Sequence, residues 1–392
     1  GSFDNFYNSD IPWAYLAAYQ SYGISDFQKK DDSFYYVGAT ELVIENPDGT
    51  YSYRTAGKLN QSVSHITKGR KNDMLFNFGA NFNDNFYLGA NIGLPIMNYC
   101  YSEMIRESAQ NPSEFAYAVD GSMVEFEHGE YQYGYTADVD GIYAKVGFIW
   151  LPIAGLRIGA AIQTPTLYDV QETWQLSSAT FYTNRHDDHI SESPDYDFAY
   201  SFTSPYRVNA GLAYTFGRFG FLTVDYEMAD YSHMRYSATD QGLYDSIFND
   251  TNETNRNFAG MQHMLRAGAE VVLTPSWSVR AGYTYKNSPE FYYKDQNGNF
   301  VDANIYLACI DDFRAGRNSL NGKTRFDAAL SSYSLGLGYT SSGSFFMDFA
   351  VRMSRYPKTE FNLYGEYDGN AAPYVTTSKN LFDALMTFGW RF

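Results

Sequence analysis

The stretch Met74-Leu75-Phe76-Asn77-Phe78-Gly79-Ala80-Asn81-Phe82-Asn83-Asp84-Asn85-Phe86-Tyr87-Leu88-Gly89-Ala90-Asn91-Ile92-Gly93-Leu94 decides the fold. Met74, Phe76, Phe78, Ala80 and Phe82 alternate with Leu75, Asn77, Gly79 and Asn81. After Asn83-Asp84-Asn85 the pattern resumes: Phe86, Leu88, Ala90, Ile92 and Leu94 against Tyr87, Gly89, Asn91 and Gly93. A period of two puts the two sets on opposite faces of a strand. Asn and Asp between such runs make a tight turn. The spacing predicts a hairpin with one apolar face and one face of polar and small residues.

The same alternation recurs over residues 142–150, 156–163, 207–214, 222–228, 265–271, 279–285, 333–339, 345–352 and 382–392, giving about eleven strands from Asn72 onward. A soluble sandwich alternates too, with its apolar face inside. Three features favour a transmembrane barrel. The strands often reach ten residues or more, whereas soluble strands cluster near ~5–6. Trp150, Tyr206, Tyr214, Trp277, Tyr285 and Tyr339 stand at the ends of apolar faces, where an interfacial girdle belongs. Connections alternate between short (83–85, 152–155, 217–218, 274–276, 341–343) and long (100–133, 166–198, 230–261, 287–325, 357–377), as periplasmic turns and extracellular loops do.

Composition fits this reading. The 392 residues carry 28 Lys+Arg and 45 Asp+Glu, a net charge of −17, with 18% aromatics and a mean hydropathy of −0.41. A disordered acidic chain would be poor in aromatics. A nucleic-acid partner would call for a basic face, and none is expected. No apolar run approaches a membrane helix. In a barrel, aromatics face lipid and its borders, while charge goes to loops such as 28–48 and 183–197 and to the lumen. The length then describes most of one barrel rather than two or three domains.

No metal, cofactor or catalytic motif stands out. Cys100 and Cys309 make no framework. His186, Asp187, Asp188 and His189 are the nearest approach to a metal cluster, in a stretch that reads as a solvated loop tip. No nucleophile–base constellation is evident, so the chain is not read as an enzyme. No secretory leader is evident at its start. At its other end Phe392 follows Phe388 and Trp390 on one face, resembling the signal that Gram-negative barrel-assembly machinery reads on its substrates.

Residues 1–71 do not read as membrane strands and are expected to form an extracellular or partial N-terminal region, with the barrel spanning 72–392. Residues 11–22 are a mixed aromatic stretch with some helical character, and 34–44 can pair with 50–58 around Asn46-Pro47-Asp48-Gly49. Bacterial single-chain barrels have even strand numbers, so an odd number of N-terminal strands is expected beyond the eleven.

The segment Leu156-Arg157-Ile158-Gly159-Ala160-Ala161-Ile162-Gln163-Thr164-Pro165-Thr166 resembles a strand of the FadL/TodX outer-membrane transporters, particularly their Bacteroidetes branch. Residues 266–270, 277–283 and 334–339 are similar to others. The resemblance covers roughly residues 72–392. It implies a fourteen-stranded, porin-like barrel in the bacterial outer membrane, an N-terminal hatch, and passive uptake of hydrophobic molecules such as long-chain fatty acids. The hatch and early-strand motifs are not found here, so no gating residue carries over. Implied partners are the bilayer with lipopolysaccharide, a hydrophobic ligand, the assembly machinery and, in some relatives, a surface protein. The alternatives are a barrel anchor or accessory subunit of a surface complex, and an outer-membrane barrel enzyme.

On the lumenal face fall Lys145, Arg157, Arg207, Asp225, Glu227, Arg266, Glu270, Arg280, Asp348, Arg352, Asp383 and Arg391. They make either a salt-bridged wall or a site where Arg157, Arg207, Arg266, Arg280 or Arg352 meets a ligand carboxylate. Ile149 and Phe346 are inward apolar candidates for ligand contact, with Val272 and Leu385. The loop aromatics Phe291, Tyr292 and Tyr293 gather ligand at the mouth or pack the loops. Helix-like stretches 240–249 and 308–314 are expected to fold over the extracellular opening.

Overall fold

The computed structural model describes residues 2–4, 27–29, 36–38, 41–55, 57–119, 122–183, 189–192, 195–239, 245–341, 345–362 and 374–390. Fourteen strands matter for the site: β1 (Leu59–Phe82), β2 (Phe86–Ala109), β3 (Ser122–Trp150), β4 (Leu156–Gln163), β5 (Leu167–Tyr182), β6 (Tyr196–Thr203), β7 (Arg207–Thr215), β8 (Gly220–Asp230), β9 (Arg235–Ala238), β10 (Met261–Val272), β11 (Trp277–Lys286), β12 (Leu330–Thr340), β13 (Phe345–Arg355) and β14 (Asn380–Trp390). Eleven of them pair antiparallel in one ladder, in the order β1-β2-β3-β4-β7-β8-β10-β11-β12-β13-β14. The remaining three, β5, β6 and β9, continue the sheet above the level of β4 and β7.

Why these residues make this ladder is visible at its first turn. Phe82 and Phe86 close the β1–β2 pair. Asn83 and Asp84 take φ of 54° and 56°, the left-handed region that Asn and Asp tolerate best after Gly. The Asn81 side chain accepts the Asp84 amide at 3.0 Å, which holds the bend. Beyond the turn, one face exposes large apolar side chains: Phe78 is 66% exposed, Leu335 63% and Phe382 71%. An exposed apolar band on long, fully paired strands is what a bilayer requires, because lipid cannot satisfy an open backbone group. About 11 residues at ~3.3 Å each, tilted ~45°, span the ~25 Å apolar height of an outer-membrane wall. Among the described residues no helix is long and apolar enough to cross a membrane.

The sheet is open among the described residues. β14 pairs on one edge with β13 only, and below Ser62 the outer edge of β1 has no strand partner. Both β1 and β14 run toward the short-turn end, so an odd number of intervening strands is needed to close the wall with antiparallel pairing.

The first strand starts at Leu59, not near Asn72, and so crosses the 71/72 boundary expected from sequence. The expected loops 100–133 and 166–198 are also largely strand: β2, β3 and β5 carry the sheet well above the membrane band. The expected N-terminal hairpin forms, Glu41–Glu45 against Tyr51–Thr55. Residues 11–22 lie outside the described residues, as do His186, Asp187, Asp188, Arg391 and Phe392.

At the top of the band the ladder is interrupted on adjacent strands. Pro165 separates β4 from β5 and Pro205 separates β6 from β7, since proline brings no N–H to a ladder. Side chains fill in: Thr166 N donates to Ser204 Oγ at 2.9 Å and Ala144 N to Thr164 Oγ1 at 3.0 Å. Pro95 of β2 lies at the same level, where pairing with β3 jumps from Gly93–Tyr143 to Ile96–Asp140.

Three helices and a small sheet cap the extracellular end: α1 (Asn249–Phe258), α2 (Ala303–Ala308), α3 (Ile310–Arg314), and strands Phe291–Asp295, Phe300–Val301 and Leu320–Arg325. Of the helical stretch expected over 240–249, residues 240–244 lie outside the described residues, Asp245–Phe248 form a 3-10 turn, and the helix proper continues to Phe258. Phe258, Val301 and Tyr306 form the cap core, with Tyr293 and Phe313 against it. Arg314 ties the helices together, 2.6 Å from Asp250 and 2.9 Å from Glu253. Tyr306 OH also donates to Glu253.

Two outcomes are expected. Leu335→Arg should destabilise the membrane-inserted protein by about 2–4 kcal/mol in reversible unfolding from lipid vesicles, the cost of a cation facing the bilayer midplane; Ser334→Arg, on the opposite face, should cost far less. The Tyr306 bond and Arg314 hold the Glu253 carboxyl below its usual range. Its contribution is therefore full above the unfolded value of about 4.3 and lost as pH falls through the lower folded value. Hydrogen exchange in α1–α3 should accelerate below about pH 4, and Glu253→Gln should remove that acid dependence.

Candidate functional site

Within the membrane band the inner face is a ladder of ion pairs. Glu227 accepts from Arg207 at 3.2 Å, Asn209 at 2.8 Å and Arg266 at 3.2 Å. Arg280 stands between Glu270 and Asp348, the latter 2.5 Å away. Arg352 bonds Asp383 at 2.7 Å. These pairs link strands from β7 to β14, most between neighbours, with Arg280 reaching Asp348 across the glycines of β12. Arg207, Arg266, Arg280 and Arg352 thus have carboxylate partners within the wall. Glu227 is only 13% exposed against 40% for Asp383, so losing its charge leaves two half-buried guanidinium groups unanswered. Glu227→Gln should lower the unfolding midpoint in detergent more than Asp383→Asn does.

Arg157 is different. It bonds Thr215 Oγ1 at 3.4 Å and has no carboxylate within ion-pair distance among the described residues. With Lys145, Ile149, Asn91, Asn209 and Asp225 it lines a cavity of about 520 Å³ against β2, β3, β4, β7 and β8. Small residues create this space. Gly89 and Gly147 are in register, and a Cβ on Gly147 would lie 2.8 Å from both the Ala160 oxygen and the Ala161 Cβ. Phe346 is not part of the cavity; it packs over Gly389 near the short-turn end. Phe388 and Trp390 sit on the outer face beside Phe345, with ring centroids 6.4 and 5.5 Å away.

Above the band the two faces exchange character. On β2 the outward residues run Leu88, Ala90, Ile92, Leu94, Ile96 and then Asn98, Cys100 and Ser102, while the inward ones run Tyr87, Gly89, Asn91, Gly93 and then Tyr99, Tyr101 and Glu103. On β3 the inward face passes from Lys145 and Gly147 to Tyr135, Tyr133 and Tyr131. Register carries the inward set onto β5 as Tyr168, Glu172 and Trp174, and onto β6 as Phe198, Tyr200 and Phe202. The outward face is apolar where it meets lipid and polar where it meets water; the inward face does the reverse.

The result is a continuous aromatic wall. Tyr135 stacks on Trp174 with centroids 4.5 Å apart and on Tyr101 at 5.6 Å; Tyr133 lies 5.7 Å from Tyr101 and 5.4 Å from Trp174. A second group, Phe198, Tyr200, Phe202, Tyr236 and Phe248, continues it. Glu172 joins the two, accepting from Trp174 Nε1 at 2.9 Å and from Tyr200 OH at 2.7 Å. Glu103 accepts from Tyr101 OH at 2.9 Å. Phe248 is buried; the other rings are half-buried and present faces to the interior. Burial, then the bonded carboxylate, pushes the Tyr101 and Tyr200 hydroxyls well above the usual tyrosine range. At its top the wall adjoins a packed cluster of Leu59, Phe115, Phe126 and Tyr182.

Sequence reading missed this wall because it followed the apolar face and stopped where that face turned polar. The signal was there: tyrosine at positions 131, 133 and 135, and at 99 and 101, keeps the period of two with inverted phase. The loop aromatics singled out instead serve the cap. Tyr293 packs on Phe258 at 5.1 Å, Tyr292 on Phe300 at 4.9 Å, and Phe291 lies under Lys323 and Arg325.

At the rim, Asp230, Ser232 and His233 come within hydrogen-bond reach, the constellation that would favour an enzyme. Its geometry is that of a turn cap. Ser232 Oγ donates to Asp230 at 2.7 Å, Asp230 also accepts the Ser232 amide, and His233 presents the same Nδ1 to both partners. A catalytic triad needs the imidazole between nucleophile and acid, one nitrogen to each. Among the described residues no group of three or more His, Cys, Asp or Glu is placed to hold a metal.

No protein-family model and no curated protein matches the chain. Several solved structures do. A Pseudomonas aeruginosa FadL homologue is 12% identical, with 84% of this chain and 73% of that one covered and a TM-score of 0.44. The P. putida toluene transporter TodX is 10% identical over 90% and 87%, with a TM-score of 0.40. The Ralstonia pickettii toluene transporter TbuX is 13% identical over 88% and 83%, with a TM-score of 0.35.

Proposed function

We propose that this chain is an outer-membrane channel for passive uptake of hydrophobic small molecules, by binding and passage without a catalytic step. The carrying observation is the exchange of faces at the top of the band. Aromatic side chains point inward there and are mostly half-buried, so they offer an apolar surface on which a hydrophobic ligand can lie. A ligand caught on the wall around Tyr135 and Trp174 lies above the glycine-floored cavity at Lys145 and Arg157. A long-chain fatty acid is one fitting ligand: its tail would lie on apolar and small residues, and its carboxylate would be met by Arg157 and Lys145. An anchor or accessory subunit needs no such wall and no cavity, so the channel is the better reading.

Uptake of a labelled fatty acid by proteoliposomes carrying the protein tests this. A Trp174→Ser/Tyr135→Ser double variant should lose most of the rate, and Gly147→Leu should block the cavity with a similar loss. Exchanging the cap residue Phe300 for Ser should leave the rate within about twofold. Wild-type uptake no faster than that of protein-free vesicles would sink the proposal.

A further inference from the structure

The wall carries charge of one sign. Glu103 and Glu172 are set among the rings, and neither has a Lys, Arg or His within 4 Å among the described residues. Their oxygens are engaged instead by neutral donors, Tyr101 OH, Trp174 Nε1 and Tyr200 OH. The ammonium on the lower part of this inner face, Lys71, has its own partner in Asp73 at 3.9 Å. His65 meets Tyr101 edge-on at 5.1 Å and bonds Thr67. Burial first, and then both carboxylates, raise the Tyr133 hydroxyl above the usual range. The ladder below answers each carboxylate of Glu227, Glu270 and Asp383 with a guanidinium; the wall leaves two carboxylates unanswered.

Electron-rich ring faces beside uncompensated carboxylates attract cations, and the attraction grows as water is excluded. A neutral ligand gains nothing from the two acids, and they turn the carboxylate end of a ligand away, toward Lys145 and Arg157 below. We propose that the wall formed by Tyr101, Tyr133, Tyr135 and Trp174 with Glu103 and Glu172 is a binding site for small organic cations, quaternary ammonium or protonated amine groups carried on an apolar body. This rests on the proposal that ligands are received on the inner face, and it narrows the chemistry of the first station. The cavity below, with Lys145 and Arg157, has the opposite preference, so the two stations sort ligands by head-group charge.

Three benzyl-sized probes of different charge test it: benzyltrimethylammonium, N,N-dimethylbenzamide and phenylacetate, titrated into the full-length protein in non-ionic detergent and followed by calorimetry. The cation should bind at least about tenfold more tightly than the amide, and phenylacetate more weakly than the amide at this site. Glu172→Gln keeps the shape and the acceptor for Trp174, and should bring cation and amide to within about threefold. Trp174→Leu should weaken both. Equal binding of cation and amide to the wild type, or an unchanged ratio in Glu172→Gln, would overturn the cation site; if Trp174→Leu still removed that binding, reception of apolar ligands on the inner face would stand. No binding of any probe, with uptake unaffected by Trp174→Leu, would overturn both.

Discussion

Every backbone N–H and C=O that enters lipid must find its partner inside the protein, and this constraint dictates the rest of the molecule. It forces long strands into one continuous antiparallel ladder and fixes register across it. Because side chains alternate strictly along each strand, register then decides which residues see lipid and which see the interior. Gly89 facing Gly147, or Arg280 reaching both Glu270 and Asp348, follows from that registration. The prolines at 95, 165 and 205 fall where the band ends, at the one level where local hydroxyl groups take over from the ladder.

The two halves of the inner face solve different problems. In the band, charges that would be costly alone are paired across strands, and the pairs hold the wall in register. Where small residues replace them, between β2 and β7, the interior opens into the cavity. Above the band the outward face meets water, so the inward face is free to be aromatic. The stacked rings are then both a sheet-stabilising set of cross-strand pairs and a surface that can receive a ligand.

Much of this was legible in the sequence. The alternation over 74–94 gave the hairpin, its turn and both faces, and the eleven strands from there to Trp390 are those of the structure. The partners of Arg207, Arg266, Arg280 and Arg352 were foreseen as a class, but not pair by pair, since pairing depends on register that no single strand reveals. Strand ends were misplaced wherever the apolar face changed sides: Leu59, Ala109 and Ser122 lie far beyond the end of the continuous outward apolar run. The aromatic wall was missed for the same reason. The rim triad of Asp230, Ser232 and His233 could not be judged without geometry, because residues so close in sequence satisfy one another locally.

The exchange of faces can be measured along β2 by placing a nitroxide at single positions in a background where the exposed Cys100 and Cys309 are replaced by Ser. Collision rates with oxygen, which concentrates in lipid, and with a water-soluble nickel chelate report the surroundings of each outward position. Oxygen-dominated relaxation is expected at 88, 90 and 92, crossing over near 96, and chelate-dominated relaxation at 98, 102 and 104. Oxygen dominance continuing through 104, or chelate access at 88 and 92, would contradict the exchange of faces.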